Sequence, residues 1–374
     1  MKQTSQRRKI IGVVWITVTI VFACSQFLPQ FLPQCYAPST VQRTFIESGK
    51  FEILWQAPDV YIAPSQSAIH LVANEEHVVL WGRLDYPCGN PNPMNLNAID
   101  GSVFRRGVRF LPSNLGIYHT AYNSNFLYLG YDGPGKALEG TTAGAGGVAA
   151  YKINSGEISW TRQISGTRGI HSLVANENII AFDGGGFSDW RYLISSQTGE
   201  IIAKQNKREF HKLNLEISPS NFAYWYLHLF TNEDAPSQDT DLQALTFWSE
   251  KFDNVFQPPL LADNSVLLRK DDGTMPGTVI ALHPETGMPL WQTNQNVISN
   301  VAIADSTAFF LTDSAELVAY NIESGQQIGS VQFSGETVLL EADRGYFVAA
   351  GGENVFVYFG DGRQLFAFHF IGQE

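Results

Sequence analysis

Ala150-Tyr-Lys-Ile-Asn-Ser-Gly-Glu-Ile-Ser-Trp160 and Ala281-Leu-His-Pro-Glu-Thr-Gly-Met-Pro-Leu-Trp291 are the two stretches whose reading decides the fold. Both run Ala, four residues, Ser or Thr, Gly, three residues, Trp. Eroded copies keep the frame. Ala319 to Gly329 retains Ser324-Gly325 without the Trp, Leu193 to Ala203 retains Thr198-Gly199, and Ala98-Ile99-Asp100-Gly101 is a shortened copy. A second phrase precedes each of these: LVANEEHVVL (71–80), LVANENIIAF (173–182), LLADNSVLLR (260–269) and VAIADSTAFFL (301–311). Each phrase is a short apolar run, an Asn or Asp turn and a second β-rich run, the pattern of a hairpin.

Joined together, the unit reads strand, tight turn, strand, variable loop, strand, Ser/Thr-Gly turn, strand. Four antiparallel strands in each 40–50 residues or so predict a blade, because one such sheet cannot bury both faces until blades stack radially. The Gly supplies a turn conformation that a Cβ would resist. The Trp falls on the outer strand, facing the neighbouring blade. Seven units start near Ala68, Ile117, Gly169, His211, Phe256, Ile298 and Val338, and eight blades also fit. The expectation is an all-β, seven-bladed β-propeller of four-stranded antiparallel blades after an N-terminal transmembrane or signal helix. Residues 51–57 (FEILWQA) read as an orphan outer strand that completes the last blade beside 364–370. The bounds expected are 1–28 for the signal or anchor, 29–50 for a linker with Pro29, Pro33 and Pro38, and 51–374 for the ring.

The frame carried by Gly156, Trp160, Gly287 and Trp291 resembles the tryptophan-docking motif of the pyrroloquinoline-quinone-like (quinoprotein-type) propellers. The resemblance covers most of residues 51–370 and implies a structural docking role for these four residues. That family includes quinone-dependent alcohol dehydrogenases and non-catalytic relatives such as outer-membrane assembly lipoproteins. The dehydrogenases carry adjacent cysteines and an Asp base beside a calcium-bound quinone. Here Cys24, Cys35 and Cys88 are never adjacent, and no Asp falls in a recognisable version of that segment. The resemblance therefore implies a non-catalytic member without a quinone cofactor.

The chain is acidic, with a formal net charge of −12. Residues 1–37 contribute four basic residues and no acid, so the remainder is −12 less 4, or −16. Such a body argues against nucleic acid, whose phosphates demand a basic face. Arg7-Arg8-Lys9 precedes the apolar run Ile10 to Cys24, and no Lys or Arg follows until Arg43. This asymmetry keeps the N-terminus cytoplasmic and sends the ring outward, to the extracytoplasmic side of the cell membrane. Three fates stay open: an uncleaved anchor running through Phe27-Leu28, a lipoprotein acylated at Cys24, or cleavage after Ala37. Cys35 and Cys88 have the option of pairing outside the membrane.

Other signals are weak. The Gly-rich stretch 130–147 lacks Gly-Lys-Ser/Thr and precedes a strand, so it reads as a loop. The acidic stretch 232–241 lacks the Gly of a calcium loop. His70, His119 and His171 fall at or near the start of inner strands and are candidate ligand-binding residues around a central channel. No metal site is expected. Long second-to-third-strand loops in units one, two and four (about 83–95, 132–146 and 230–241) suggest a binding surface on one face. The leading function is a non-catalytic extracytoplasmic binding or scaffolding propeller, tethered through its N-terminal segment and serving a protein or envelope ligand. A degenerate quinoprotein-like oxidoreductase and an envelope-assembly lipoprotein stay open as alternatives.

Overall fold

The computed structural model describes residues 42–46, 49–58, 60, 71–80, 94–106, 116–132, 146–164, 170–175, 177–184, 190–206, 260–262, 265–270, 277–283, 286–335 and 345–372. Within them the chain is entirely β, in six antiparallel sheets. Blade I holds β3 (Leu71–Ala73), β4 (His77–Leu80), β5 (Met94–Asn97) and β6 (Val103–Arg106). Blade II holds β7 (Gly116–Tyr122), β8 (Phe126–Asp132), β9 (Gly147–Lys152) and β10 (Ile158–Gln163). Blade III holds β11 (Ile170–Ala175), β12 (Ile179–Gly184), β13 (Trp190–Ser195) and β14 (Ile201–Asn206). Blade IV holds β15 (Leu260–Ala262), β16 (Ser265–Lys270), β17 (Thr278–Leu282) and β18 (Pro289–Gln292). Blade V holds β19 (Ala302–Ala304), β20 (Thr307–Leu311), β21 (Glu316–Asn321) and β22 (Gln327–Phe333). Blade VI holds β23 (Tyr346–Gly351), β24 (Asn354–Phe359) and β25 (Gln364–Phe370), completed by β2 (Phe51–Ala57).

Blade VI explains why such sheets stack. Successive side chains on β24 alternate faces. Val355, Val357 and Phe359 join a cluster with Phe309, Leu317 and Val331 of blade V. Phe356 and Tyr358 join Leu71, Val78 and Leu96 of blade I. With both faces buried the strand reads as an unbroken apolar run, NVFVYF after its first residue. The same packing joins I to II through Val72, Val79, Leu127 and Leu129. It joins II to III through Tyr128, Val148, Leu173 and Phe182, and IV to V through Leu267, Ala281, Phe310 and Val318. The blades thus follow one another radially in chain order. The fourth expected unit, 211–250, lies outside the described residues. The last unit's inner strand is Tyr346–Gly351, closed by the Gly352-Glu353 turn, and Val338 lies outside the described residues.

The ring closes as the orphan strand suggested. β2 pairs antiparallel with β25, Phe51 opposite Phe370 and Ala57 opposite Leu365. A further strand, β1 (Phe45–Ile46), pairs with β22 of blade V, Phe45 opposite Phe333. The N-terminal segment is therefore a clasp, one arm on blade V and the other on blade VI. β1 and Lys50 fall within the stretch that composition reads as linker. Phe51 is the clasp's apolar hinge: it is buried and its ring meets Phe309, Phe368 and Phe370.

Two faces result. The turn face carries the turns between strands one and two and between strands three and four. The loop face carries the connections between strands two and three and the crossings from blade to blade. Phe51→Ala should cost about 3–5 kcal/mol, the usual loss for emptying a buried aromatic site. The exposed neighbour Glu52→Ala should change stability by less than about 0.5 kcal/mol. Denaturant melts of the two variants test the contrast; equal midpoints would mean that β2 does not close the ring.

Candidate functional site

The repeated turn comes first, because it spaces the blades. In blades I, III and V the turn before the outer strand ends on Gly101, Gly199 and Gly325, with φ of 68°, 68° and 65°. The glycine N–H donates to the carbonyl four residues earlier, at 3.0, 2.9 and 2.9 Å. Only a residue without Cβ adopts this left-handed geometry cheaply. It also leaves the glycine Cα bare, and an indole from the preceding blade lies against it. Trp55 covers Gly101, Trp160 covers Gly199 and Trp291 covers Gly325, so that a Cβ at any of the three would overlap the ring. Each indole N–H donates to the carbonyl three residues before the glycine: Trp55 to Ala98 at 2.8 Å, Trp160 to Ser196 at 3.1 Å and Trp291 to Ile322 at 2.6 Å.

Trp160 and Trp291 thus sit on outer strands and reach the next blade. Gly156 and Gly287 make the same turn, with φ of 66° and 68°. A motif's Gly and its Trp consequently serve different blade junctions. Sequence reasoning missed Trp55 as a docking residue. The signal was present, a Trp in an orphan outer strand and a shortened Gly turn at 98–101.

The candidate binding site is a cavity of about 470 Å³ at the channel mouth on the turn face. Its walls are the inner hairpin turns of four blades, Ile303 and Ala304 of V, Ala350 to Gly352 of VI, Ala73 to Glu76 of I and Tyr122 to Ser124 of II, together with Asn154 from the turn between strands three and four of II. Asn74 and Asn123 shape the two best-defined turns. The Asn74 Oδ1 accepts from the N–H groups of Glu76 and His77 at 3.0 and 2.8 Å. Asn123 does the same for Asn125 and Phe126, at 3.0 and 2.8 Å. Such short amides fold the chain back by imitating a backbone turn.

Side chains then tie the turns together. Asn74 Nδ2 donates to Asn154 Oδ1 at 2.6 Å. Ser124 donates to Glu177 of blade III through its N–H and hydroxyl, at 3.1 and 3.0 Å. Gly351 comes so close to the Asn74 backbone that a Cβ would collide with it. These contacts tie the turns around the cavity to one another.

The turn face is also acidic. Glu75, Glu76, Asp100, Glu157, Glu177, Glu200, Asp305, Glu323 and Glu353 all lie exposed in its turns. Hydrogen bonds from the Ser102 side chain and backbone hold the Asp100 carboxyl below the usual carboxylate range. Lys152, at the end of β9, is an exposed cation beside them. Aligned like charges produce a field over the cavity that attracts cations and steers their approach.

Of the other expected site residues, only His119 and His171 have their backbone among the described residues. His119 and His171 lie on the innermost strands near the loop face, opposite Gly130 and Asp183. Both strands are irregular next to them, between Ile117 and His119 and between His171 and Val174. His70, Cys24, Cys35 and Cys88 lie outside the described residues, as do loops 83–93 and 133–145 and the whole of 230–241. Among the described residues no group of three His, Cys, Asp or Glu is arranged to hold a metal ion.

Blade packing, docking turns and radial order define the class: the chain is a PQQ-like β-propeller repeat protein. The family model described as outer membrane protein assembly factor BamB matches residues 244–345 and 275–369, about a third of the chain. An outer membrane protein assembly factor BamB of Francisella tularensis is 29% identical over 80 residues. That match takes in 21% of this chain and only 17% of the relative. Among solved structures, BamB from Moraxella catarrhalis has a TM-score of 0.42 at 12% identity, over 86% of this chain and 100% of that one. The designed Ika8 protein has 0.41 at 14%, over 84% and 99%.

Trp291→Ala should cost about 3 kcal/mol, at the low end for a buried aromatic because the indole is half-exposed. Gly325→Ala should cost about 1–3 kcal/mol from its backbone alone. The double variant should lose clearly less than the sum, since each change destroys the same contact. Additive losses in denaturant melts would mean that Trp and Gly do not act as one unit.

Proposed function

We propose that this protein is a non-catalytic scaffold of the cell envelope. In this reading it is tethered on the extracytoplasmic side by its N-terminal apolar segment. Its turn face docks a protein partner over the channel mouth. The observation that carries the reading is the cavity of about 470 Å³ built from the cross-tied turns of four blades beside a row of exposed carboxylates. A preformed concave site with fixed polar groups favours binding, because little ordering is left to be done on association. The family match to an outer membrane assembly factor supports an envelope role. The partner presents a cationic segment, complementary to Glu75 and Glu76 in the cavity wall.

Residues 207–259 supply a seventh blade in this reading, supported by a length close to that of the other units. The tether rests on the basic flank and apolar run at 7–28, which lie outside the described residues. Among the described residues no helix is long and apolar enough to cross a membrane. Binding alone performs the function, with no quinone and no metal involved. Reduction of a redox dye after addition of the quinone and calcium would overturn this part.

A second reading puts the docking surface on the loop face. The two-to-three connection is long in blade I, from Leu80 to Met94, and in blade II, from Asp132 to Gly147. In blades V and VI it shrinks to four residues, 312–315 and 360–363. Near the end of β8, just before the long connection of blade II, stands Tyr131, 2% exposed, whose hydroxyl has no hydrogen-bond partner among the described residues. Burial pushes its phenol up to about 12.

One capture experiment separates the two faces. The full-length protein in detergent is used to retain envelope proteins. Glu75→Lys with Glu76→Lys should reduce capture by about tenfold or more and remove its salt dependence, at unchanged melting. Shortening 133–145 to a brief Gly-Asn turn should leave capture unchanged. The opposite pattern would move the docking surface to the loop face.

A further inference from the structure

We infer that the N-terminal clasp sets the polarity of the ring on the membrane, with the loop face toward the lipid and the turn face away from it. This rests on the tether proposed above. The path of the chain carries the inference. Residue 43 enters the ring at the loop face, in the seam between blades V and VI. Arg43 is 1% exposed and forms an ion pair with Asp361 in the 360–363 turn. It also donates to the Ser334 carbonyl at 3.1 Å, and its own N–H donates to Gln364 Oε1 at 2.7 Å. Its guanidinium lies 4.8 Å from the centroid of the Phe359 ring. A buried cation held by a carboxylate and backbone carbonyls cannot peel away cheaply. From there the chain climbs along β1 to the turn face, where the Lys50 carbonyl accepts from Ile371 N–H at 2.9 Å, and β2 descends again.

A tether upstream of residue 42 therefore leaves from the loop face. Thirteen residues separate Leu28 from Gln42, a reach of at most roughly 45 Å when fully extended. To turn the other face to the lipid, that stalk would have to run round the rim. Two features of the faces agree. The carboxylates of the turn face are repelled by an anionic leaflet. On the loop face, across the ring from the clasp, Lys204 lies 4.9 Å from the Trp190 ring centroid, and Trp190 is 37% exposed. An exposed Trp–Lys pair suits a lipid–water boundary, with an apolar ring and a charged tip. The clasp at blades V and VI and this pair on blade III give the loop face two separated points of contact.

The test uses the full chain reconstituted in mixed phosphatidylcholine–phosphatidylglycerol vesicles that carry a headgroup energy acceptor. A fluorescent amino acid is introduced by codon suppression at Ser314, exposed on the loop face of blade V, or at Glu323, exposed on its turn face. Transfer from position 314 should exceed that from 323 by about twofold or more, since both sites share one blade and differ in face. Trp190→Ala with Lys204→Glu should narrow the gap while the protein still floats with the vesicles. Floating protein with equal or reversed transfer would overturn the polarity and leave the tether intact. Protein that does not float overturns the tether, and the polarity with it.

Discussion

The ring depends on one small interaction made several times: an indole laid on a bare glycine Cα. Its geometry is coupled at both ends. The left-handed glycine folds the turn so that the carbonyl three residues earlier faces the neighbouring blade, and the indole N–H of that neighbour donates to it. Without the glycine the ring cannot lie flat, and without the Trp the carbonyl loses its partner at the junction. Hydrophobic burial supplies most of the stabilisation between blades but has no direction. The Trp–Gly contact adds the direction, fixing how far each blade slides and tilts against the next. Tyr128, Tyr320 and Phe356 lie about 6 Å, ring to ring, from Trp160, Trp291 and Trp55, and confine each indole further.

The junction between blades V and VI lacks this contact, as does that between I and II, where the outer strand Val103–Arg106 of blade I holds no Trp; at V–VI the clasp takes its place. Blade VI takes its outer strand from the N-terminus, so it has no turn between strands three and four on which a Trp could dock. At the matching place on β22 stands Gly329. Its small size leaves room for Lys50, Phe51 and Phe370, whose atoms would lie 3.1 to 3.3 Å from a Cβ there. What replaces the indole is a cluster of phenylalanines and the buried Arg43–Asp361 pair. Phe45 meets Phe366 and Phe368 edge-on, while Phe333 packs on Phe359. The seam is held by the segment that also leads toward the membrane in the proposed topology. In that proposal, closure of the fold and orientation of the molecule share one structural cause.

The two faces differ because the repeat gives them different freedom. Turn-face residues are bound by the hairpin and docking geometry, so they stay short, and their side chains repeat in kind. Asn at the hairpins follows from that constraint, as at Asn74 and Asn123. Loop-face connections carry no repeated docking turn, and closure entropy grows slowly with length, so they vary from four residues to more than a dozen. A regular, charged face suits specific docking, and a variable face suits adaptation to whatever it rests on.

The sequence by itself determined the unit and its count of strands. Hairpin phrases, Ser/Thr-Gly turns and paired Trp residues are local signals, and each depends on neighbours within a dozen residues. It also determined that residues 51–57 lacked a blade of their own, which left β25 as the partner for closure. Tertiary structure decided everything that joins distant positions. Trp160 meets Gly199 rather than the nearer Gly156 because strand four faces the following blade. Arg43 reads as a stray charge in a proline-containing linker until folding brings Asp361, 318 residues away, to its side. The channel-mouth cavity draws on residues from 73 to 352, whose hairpin phrases mark them as turns and nothing more. Its walls are ordinary turns, and only radial stacking turns them toward a common axis.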